Sequence, residues 1–292
     1  MIEFIKTLIS GLGLGSIYAL IALGYTMVYG IAKMLNFAHG DVIMVGAYAG
    51  IVAFTSAGLP PVFTVFLSVL ACTLLGITIE HFAYKPLRGA SSLSVLITAI
   101  GMSYLLQNLA LMIFGSQQKA YPQYIKLGQV SIGPVTVDGI TLLTLGVTAC
   151  IMVGMSFFIN RTKLGKAMRA VAEDRGAAEL MGISVDRTIA LTFAIGSALA
   201  AVASMCYGLT YVYIKPTTGA MPGIKAFTAA VFGGIGSLPG AMLGGIALGV
   251  IEQMAKTYIS PLWADAIVFA VLVLVLVVRP TGLLGKEIQE KV

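Results

Sequence analysis

Three polar side chains stand close together in an apolar part of the chain, and they are the first candidates for chemistry. Asn36, His39 and Asp41 lie in the run Asn36-Phe-Ala-His-Gly-Asp41. Ionisable residues inside a membrane usually face a pathway or pair with one another, and irregular backbone there needs surrounding protein or a water-filled cavity. These residues could therefore line a translocation pathway. The alternative is that His39 and Asp41 cap helix ends at the interface and satisfy backbone groups only.

A glycine-rich stretch is the second interruption, and Gly233, Gly236 and Gly240 are its candidate pathway residues. Gly236, Gly240 and Gly244 recur every four residues, which places them on one helix face and lets another helix approach closely. Pro239 is expected to interrupt the helix at the same place. The pattern favours close packing around a broken helix over direct contact with a solute.

The same spacing of glycines occurs earlier in the chain. It predicts two further packing faces, one at Gly11 and Gly15 and one at Gly46 and Gly50.

The segment 161–187 is a charged island in a chain whose charged residues make up 10% of the total. Because Lys and Arg gather on the cytoplasmic side of membrane proteins, the loop 160–188 is expected in the cytosol. Asp174 can cap a helix that Gly182 then stops. A folded helix is more than a tether needs, so this loop is predicted to be a docking surface.

Motifs for catalysis or metal binding do not occur in the sequence. There is no HExxH, GxSxG or Walker A run, and the two histidines are His39 and His81. The three cysteines lie in apolar runs without CxxC pairing, which is typical of small core residues. The chain is therefore not expected to be an enzyme, and if it takes part in ATP-driven transport, the ATPase must be another chain.

The elements that position these residues are predicted to be membrane helices in a single domain, 1–292. The chain is 58% hydrophobic with a mean hydropathy of +0.96, against about 45–50% apolar residues in soluble proteins. Since a span needs about 20 apolar residues, about eight full transmembrane helices are expected. The runs lie at 8–28, 42–55, 62–79, 93–114, 140–159, 189–211, 241–254 and 266–278.

The net charge of +6 is a topological signal, because the basic residues lie in loops, and it requires no nucleic-acid partner. Two apolar segments, 31–41 and 226–239, are too short or too broken to cross cleanly. If the loop 161–187 and the basic tail from Arg279 both lie inside, the second segment must add a short crossing or form a hairpin with 241–254. Paired interrupted segments in two halves of a chain point to a transport site.

The ends of the first spans are assigned by the same rule. Lys6 is expected inside, together with Lys85 and Arg88 after the third span. The loop 115–139 is expected outside, with a small β-hairpin over 125–137.

Several separate runs resemble one family over nearly the full chain: the LivH-type branched-chain amino acid permeases of bacterial ABC importers. The resemblance lies in Asn36-Phe-Ala-His-Gly40, Pro222-Gly-Ile-Lys-Ala-Phe227 and Gly233-Gly-Ile-Gly-Ser-Leu-Pro-Gly240, among others. Together and in order these runs are highly specific. The remaining runs are at 15–24, 165–174, 177–183 and 279–282.

The resemblance implies an all-α polytopic permease fold in the bacterial cytoplasmic membrane. It implies a second, similar permease, two cytoplasmic ATPase subunits that bind ATP and magnesium, and an extracytoplasmic solute-binding protein, with no cofactor on this chain. It also implies that 173–183 is a coupling helix that enters a groove of an ATPase subunit. The implied contact residues are Glu173, Asp174, Arg175, Ala177, Ala178, Gly182 and Ile183.

Two departures and three alternatives accompany the resemblance. Arg175-Gly176 stands where Pro or an acidic residue is common, and Ser204-Met-Cys206 replaces a glycine-containing run. Related permeases are associated with urea, short amides and other small solutes, so the substrate could differ from Leu, Ile or Val. An ion-coupled secondary transporter that uses His39, Asp41 or Glu252 is a second alternative. An intramembrane enzyme is the third, and the absent catalytic pairs speak against it.

Overall fold

The computed structural model describes residues 2–132 and 135–285, and most of these residues are helical. Eleven α-helices and four short strands follow one another along the described chain. The helices are α1 Ile2–Ala32, α2 His39–Ile51, α3 Pro61–Ile79, α4 Ser92–Phe114, α5 Gly139–Arg161, α6 Lys163–Glu173, α7 Arg175–Leu180, α8 Val185–Tyr211, α9 Ala220–Gly233, α10 Leu238–Tyr258 and α11 Pro261–Val278. The strands are β1 Lys119–Ala120, β2 Gln129–Ile132, β3 Val135–Asp138 and β4 Tyr213–Ile214.

Among the described residues, seven helices are long and apolar enough to cross a membrane: α1, α3, α4, α5, α8, α10 and α11. One of the eight predicted spans, the run 42–55, is not among these seven. It lies in the 13-residue helix α2, and the π-helical segment Val52–Ser56 continues that helix. Helix α9 is also short, at 14 residues. The sequence therefore predicted the all-α membrane class correctly and counted one full span too many.

The centre of the molecule is built from α1 and α8, the most buried of the long helices. Helix α1 packs antiparallel to α10 through small residues on both surfaces. A Cβ added at Gly15 would lie 2.6 Å from the carbonyl oxygen of Ile246, and one added at Gly11 would lie 2.9 Å from the Cα of Val250. The predicted packing face at Gly11 and Gly15 is confirmed. Gly46 and Gly50 likewise leave no room for a side chain, against Ser204 and Tyr121.

The helix ends define two faces of the bundle. We name the side that carries the charged segment Arg161–Arg187 the basic face, and the other side the opposite face. The last residue of α1, Ala32, accepts a hydrogen bond from Arg175 of α7 and so lies at the basic face. The first turns of α1 lie near the start of α5, where Gly13 abuts Thr141. Lys6 is therefore at the opposite face, and the expectation that it shares a side with Lys85 and Arg88 was wrong.

Helix α9 supplies the extra crossing that the charge pattern demanded. Before it, β4 pairs with β1 of the loop 115–139 at the opposite face. After it, the amides of Leu283 and Leu284 donate to the carbonyls of Phe232 and Gly233, so the end of α9 and the end of the described chain meet at the basic face. The predicted hairpin is also present, as the antiparallel pair β2 and β3. Lys286 and the residues after it lie outside the described part of the chain.

Candidate functional site

The two short helices begin beside each other inside the bundle. Helix α2 starts at His39 and α9 at Ala220, and the two pack where a Cβ on Gly40 would lie 2.6 Å from the carbonyl oxygen of Gly219 and 3.1 Å from the Cα of Gly223. Unpaired amides give the amino end of a helix a partial positive charge. Two such ends therefore meet at this point of closest approach.

His39 is packed into the protein at the start of α2. Its side chain is buried, and its ring lies edge-on to Tyr25 with 4.8 Å between the ring centroids. The imidazole fills the space beside Gly24, where a Cβ would lie 2.6 Å from His39 Cε1. No side chain caps the amino end of α2, and His39 Nε2 is buried without a hydrogen-bond partner among the described residues. The helix-capping interpretation of His39 is therefore wrong.

Asn36 and Asp41 are buried too, but each is bound to a different element. Asp41 Oδ1 accepts a hydrogen bond of 2.9 Å from Gln107 Nε2 on α4. Asn36 Oδ1 accepts one of 3.0 Å from the hydroxyl of Tyr84, in the π-helical segment that follows α3. These two side chains hold the α1–α2 connection and the start of α2 against α3 and α4. The structure does not gather them with His39 into one set of partners.

The glycines of the second interruption form a tight turn between α9 and α10. Gly233 and Gly240 face each other so closely that a Cβ on either would collide with the other's carbonyl, and Gly244 faces α9 in the same way. Gly236 differs from the prediction: it lies in the turn before α10 with φ of +93°, and not on a helix face with Gly240. Pro239 is in the first turn of α10, where no amide donor is needed, so it starts this helix and does not break it.

A cluster of four charged side chains joins α9, α10 and α11. Lys225 Nζ lies 2.8 Å from Glu252 Oε1 and 2.6 Å from Asp265 Oδ1, and Lys256 Nζ lies 2.6 Å from Glu252 Oε1. The Tyr18 hydroxyl of α1 donates to Glu252 Oε2 over 2.9 Å. Glu252 is fully buried and Lys225 nearly so, whereas the Asp265 side chain is 46% exposed. Two ammonium groups and two carboxylates balance, which makes burial of this cluster tolerable.

The charged segment at the basic face folds into two helices, α6 and α7; the sequence predicted one helix between Asp174 and Gly182, which corresponds to α7. Asp174 Oδ1 accepts a 3.0 Å hydrogen bond from the amide of Ala177 and so caps α7. Gly182, with φ of +81°, follows α7 in the left-handed conformation that ends helices. Asp186, in the first turn of α8, forms ion pairs with Lys85 and Arg88. These pairs connect the start of α8 to the turn between α3 and α4.

The side chains of this segment point in different directions. Ala178 is buried, with 3% exposure, and Ile183 is half-buried. Arg175 turns inward to the carbonyl of Ala32. Leu180 and Met181 are the outward-facing apolar side chains, at 91% and 82% exposure. The residues expected to contact a partner that remain exposed are Glu173, Asp174, Ala177 and Gly182.

The loop between α4 and α5 is anchored at the opposite face by two tyrosines. The hydroxyls of Tyr121 and Tyr124 lie 3.0 Å apart, and the ring of Tyr121 packs against Gly50 and Gly208. Burial raises the pKa of Tyr121 far above its ordinary value and also raises the pKa of Tyr124. Both phenols therefore stay neutral at physiological pH, and this loop is held to α2 and α8 without charge.

The sequence of this chain is similar to known permease proteins over nearly its whole length. Residues 7–276 match the sequence profile of a family described as the permease component of the branched-chain amino acid transport system. The chain belongs to this family. It is 46% identical to the high-affinity branched-chain amino acid transport system permease protein BraD of Pseudomonas aeruginosa, over 99% of this chain and 98% of that protein. Its identity to LivH of Salmonella typhimurium is 45% over the same shares. A probable LivH of Methanocaldococcus jannaschii is 26% identical over 93% of this chain.

Sequence reasoning about this permease component missed two sets of residues. The sequence placed Glu252 only in the ion-coupled alternative and Lys225 only inside a motif, and it did not pair them. A lone lysine in one apolar helix and a lone glutamate in the next are the signal that could have paired them, because buried charges in membranes seek partners. Leu180 and Met181 were missed because two further apolar residues are not a distinctive signal in a chain that is 58% hydrophobic. Their position in a charged, water-exposed segment is what makes them unusual.

Proposed function

We propose that this permease component is the membrane-spanning subunit of an ATP-driven importer for leucine, isoleucine and valine in the bacterial cytoplasmic membrane. The proposal rests on family membership and on relatives of nearly equal length that are named as high-affinity branched-chain amino acid permeases. The chain has the long apolar helices such a subunit requires. Transport, and no chemical reaction, is its proposed role.

The complete importer has five parts in this proposal. A second homologous permease stands beside this chain, two cytoplasmic ATPase subunits bind ATP and magnesium, and an extracytoplasmic protein delivers the amino acid. The basic face is cytoplasmic, because Lys and Arg concentrate on that side. The loop 115–139 and the amino terminus of α1 then lie outside.

The exposed pair Leu180 and Met181 is the observation that carries the coupling to an ATPase. Two large apolar side chains that stand almost free of their own chain, on a segment rich in charges, are stabilised when a partner covers them. We propose that they enter an apolar groove of an ATPase subunit. Glu173, Asp174 and Ala177 form the polar edge of the contact, and Gly182 and Ile183 complete it. Ala178 and Arg175 support the segment from within.

The proposed transport step is alternating access around the two short helices. Motion of the ATPase subunits displaces α7, and α2 and α9 reorient where their amino ends meet. The partial positive charge at those ends suits a carboxylate, which every amino acid carries. Asn36, His39, Asp41, Gly233, Gly236 and Gly240 are the proposed residues of this moving region, with Asn36 and Asp41 as its anchors.

The coupling proposal is tested with Leu180→Asp and Met181→Asp in the complete transporter. Each variant is expected to reach the membrane but to lose most ATPase co-purification and most amino-acid uptake, because a carboxylate would be desolvated in the groove. The matched control is Leu164→Asp, since Leu164 is also exposed at the same face, at 43%, but belongs to α6. Normal assembly of both variants would refute the coupling role of these residues.

The substrate proposal needs its own test. Uptake by proteoliposomes that contain all five parts is expected to be competed by leucine, isoleucine and valine and not by urea or short amides. Uptake should require ATP on the side of the membrane where the ATPase subunits lie. It should persist when proton and sodium gradients are dissipated. Uptake that collapses with those gradients would favour an ion-coupled transporter.

A further inference from the structure

A cavity of about 330 Å³ opens at the basic face, beside the coupling segment. It lies between the end of α1, the turn that connects α3 to α4, and the first residue of α7. Three of its walls carry cations: Lys33 after α1, Arg88 before α4, and Arg175 at the start of α7. Three separate elements therefore direct positive groups to one place.

The positive charge in this cavity is only partly balanced. Arg88 is paired with Glu80 and Asp186, and Asp186 also pairs with Lys85, so these four charges cancel. Among the residues that the structure describes, neither Lys33 nor Arg175 has a carboxylate within 4.0 Å. The Nε of Arg88 is buried and has no hydrogen-bond partner in the same part of the chain. The cavity therefore has two uncompensated cations, which suit an anion.

The rest of the lining is apolar and continues onto a surface that faces hydrocarbon. Leu87, Val95 and Leu96 form one wall, and Tyr29 stands at the rim. Next to this wall, Leu93 and Ile97 of α4 are more than 60% exposed, on a helix that is mostly uncovered by its own chain. Tyrosine at the interface and an apolar groove below a cationic cluster are features of a site for a lipid, in which the head group and the chains need different surroundings.

We propose that this cavity binds the head group of an anionic glycerophospholipid of the inner leaflet. The phosphate lies between Lys33 and Arg175, and the first carbons of the acyl chains follow Leu87, Leu96 and the exposed side of α4. A carboxylate from a soluble ATPase has the charge but not the apolar tail that this wall accommodates. The assignment of the ligand does not depend on which solute is transported.

The position of the site gives the lipid a second role. Its phosphate contacts the residue that follows α1 and the first residue of the coupling helix, whose only described hydrogen bond to α1 is from Arg175 to Ala32. A bound anion therefore adds a bridge between the coupling segment and α1. Transport by the full complex is expected to respond to the content of anionic lipid in the membrane, and this consequence rests on the proposed function.

The ligand is tested by native mass spectrometry of the purified transporter after exchange into mixed phosphatidylglycerol and phosphatidylcholine. Wild type is expected to retain phosphatidylglycerol in preference. Because each basic residue near a membrane surface contributes about 1 kcal/mol to anionic lipid binding, Lys33→Gln and Arg175→Gln should each lower that preference about fivefold. Lys166→Gln is the matched control, since Lys166 is exposed on α6 of the same face and does not line the cavity.

The outcomes separate the lipid from other anions. Unchanged phosphatidylglycerol retention in both Lys33→Gln and Arg175→Gln would overturn the proposal, as would displacement of the lipid by millimolar inorganic phosphate. Lys33 is exposed and makes no ion pair in the described structure, so its variant remains informative if Arg175→Gln disturbs α7. Loss of ATPase subunits from both variants with lipid retention intact would assign the cavity to an acidic group of the ATPase. Loss of coupling in the Leu180 variants would leave this result unaffected.

Discussion

Replacement of Glu252 by glutamine is the most informative test of the buried charge cluster. Glu252 is fully buried and accepts from Lys225, Lys256 and Tyr18 at 2.8, 2.6 and 2.9 Å. Glutamine keeps the shape and one acceptor for Tyr18 but removes the negative charge. Lys225 is then left nearly buried with Asp265 as its remaining partner, while Lys256 can turn toward the surface because its side chain is 32% exposed.

The size of the effect follows from the burial of each partner. Breaking a buried ion pair by removing one member costs about 3–5 kcal/mol, and the Asp265 contact should hold Glu252→Gln near the lower end of that range. Asp265→Asn removes a partner that is 46% exposed, so its expected cost is at most about 1 kcal/mol. The double variant Lys225→Met with Glu252→Met removes both buried charges together. It should be more stable than Glu252→Gln alone, because the charges that remain, on Lys256 and Asp265, are partly exposed and no uncompensated charge stays buried.

The assay is thermal unfolding of the purified permease in detergent, with the three variants compared under identical conditions. The expected order of apparent melting temperature is wild type close to Asp265→Asn, then the double methionine variant, then Glu252→Gln. If Glu252→Gln melts with wild type, the four charges are not coupled as the distances indicate. If the double variant melts below Glu252→Gln, the cluster stabilises the bundle by attraction and the desolvation argument is wrong.

Three further outcomes are expected. In a background without native cysteines, Lys6→Cys and Lys119→Cys should react with an impermeant reagent from the same side of the membrane, and Lys163→Cys from the other side. If Lys6→Cys reacts from the same side as Lys163→Cys, the placement of α1 is contradicted. Gly240→Leu overpacks the contact with Gly233 at a cost of about 1–3 kcal/mol, and it should keep the ATPase subunits but lower uptake per ATP hydrolysed in proteoliposomes; an unchanged ratio would make this turn passive packing. Asp174→Ala loses the cap on the Ala177 amide, worth about 1 kcal/mol, and should weaken ATPase co-purification as salt rises, whereas full retention would show that α7 does not need its cap for docking.

Much of the fold could be predicted from local sequence patterns. Long apolar runs between charged loops predicted the membrane helices, and Asp174 with Gly182 predicted the bounds of α7 closely. The hairpin of β2 and β3 followed from alternating residues. These features depend on neighbours in sequence, where propensity and pattern are informative.

The predictions were wrong where the structure depends on contacts between residues that are far apart in the sequence. The run 42–55 lies in α2, which begins at His39 and continues as the π-helical segment Val52–Ser56. Its first turn carries the buried polar side chains of His39 and Asp41, and it is not among the helices that are long and apolar enough to cross a membrane. Lys6 was placed inside although Lys33 stands at the other end of the same helix. With one lysine at each end, the Lys and Arg excess that marks the cytoplasmic side does not decide the orientation of α1, and its packing against α5 and α7 does.

Asn36, His39 and Asp41 were proposed from the sequence as pathway residues, and that role stays a prediction. The structure shows that all three are buried, and the sequence could not show that Tyr84 holds the first and Gln107 the third. Those partners lie 48 and 66 residues away along the chain. Long-range pairing of this kind is fixed by helix packing, which a single sequence does not encode in a readable pattern.

Helix α1 contacts each of the features that the proposed transport step involves. It meets Glu252 at Tyr18, His39 at Gly24 and α7 at Ala32, along about 21 Å of continuous helix. If α7 is the coupling helix, as proposed, a displacement of α7 would be passed along α1 to the start of α2 and to the charge cluster. The backbone that bends during this step would then lie outside α1.

The backbone angles indicate where this bending would occur. Among the described residues, two that are not glycine have positive φ: Lys33 at 55° and Val212 at 62°. Each stands in the connection that leads into a short helix, α2 or α9. A left-handed residue with a side chain costs about 1–2 kcal/mol, and such strain persists where the surroundings impose it. In the proposed transport step, these two connections, one at each face, are where the backbone bends as α2 and α9 reorient while α1 moves as a rigid element.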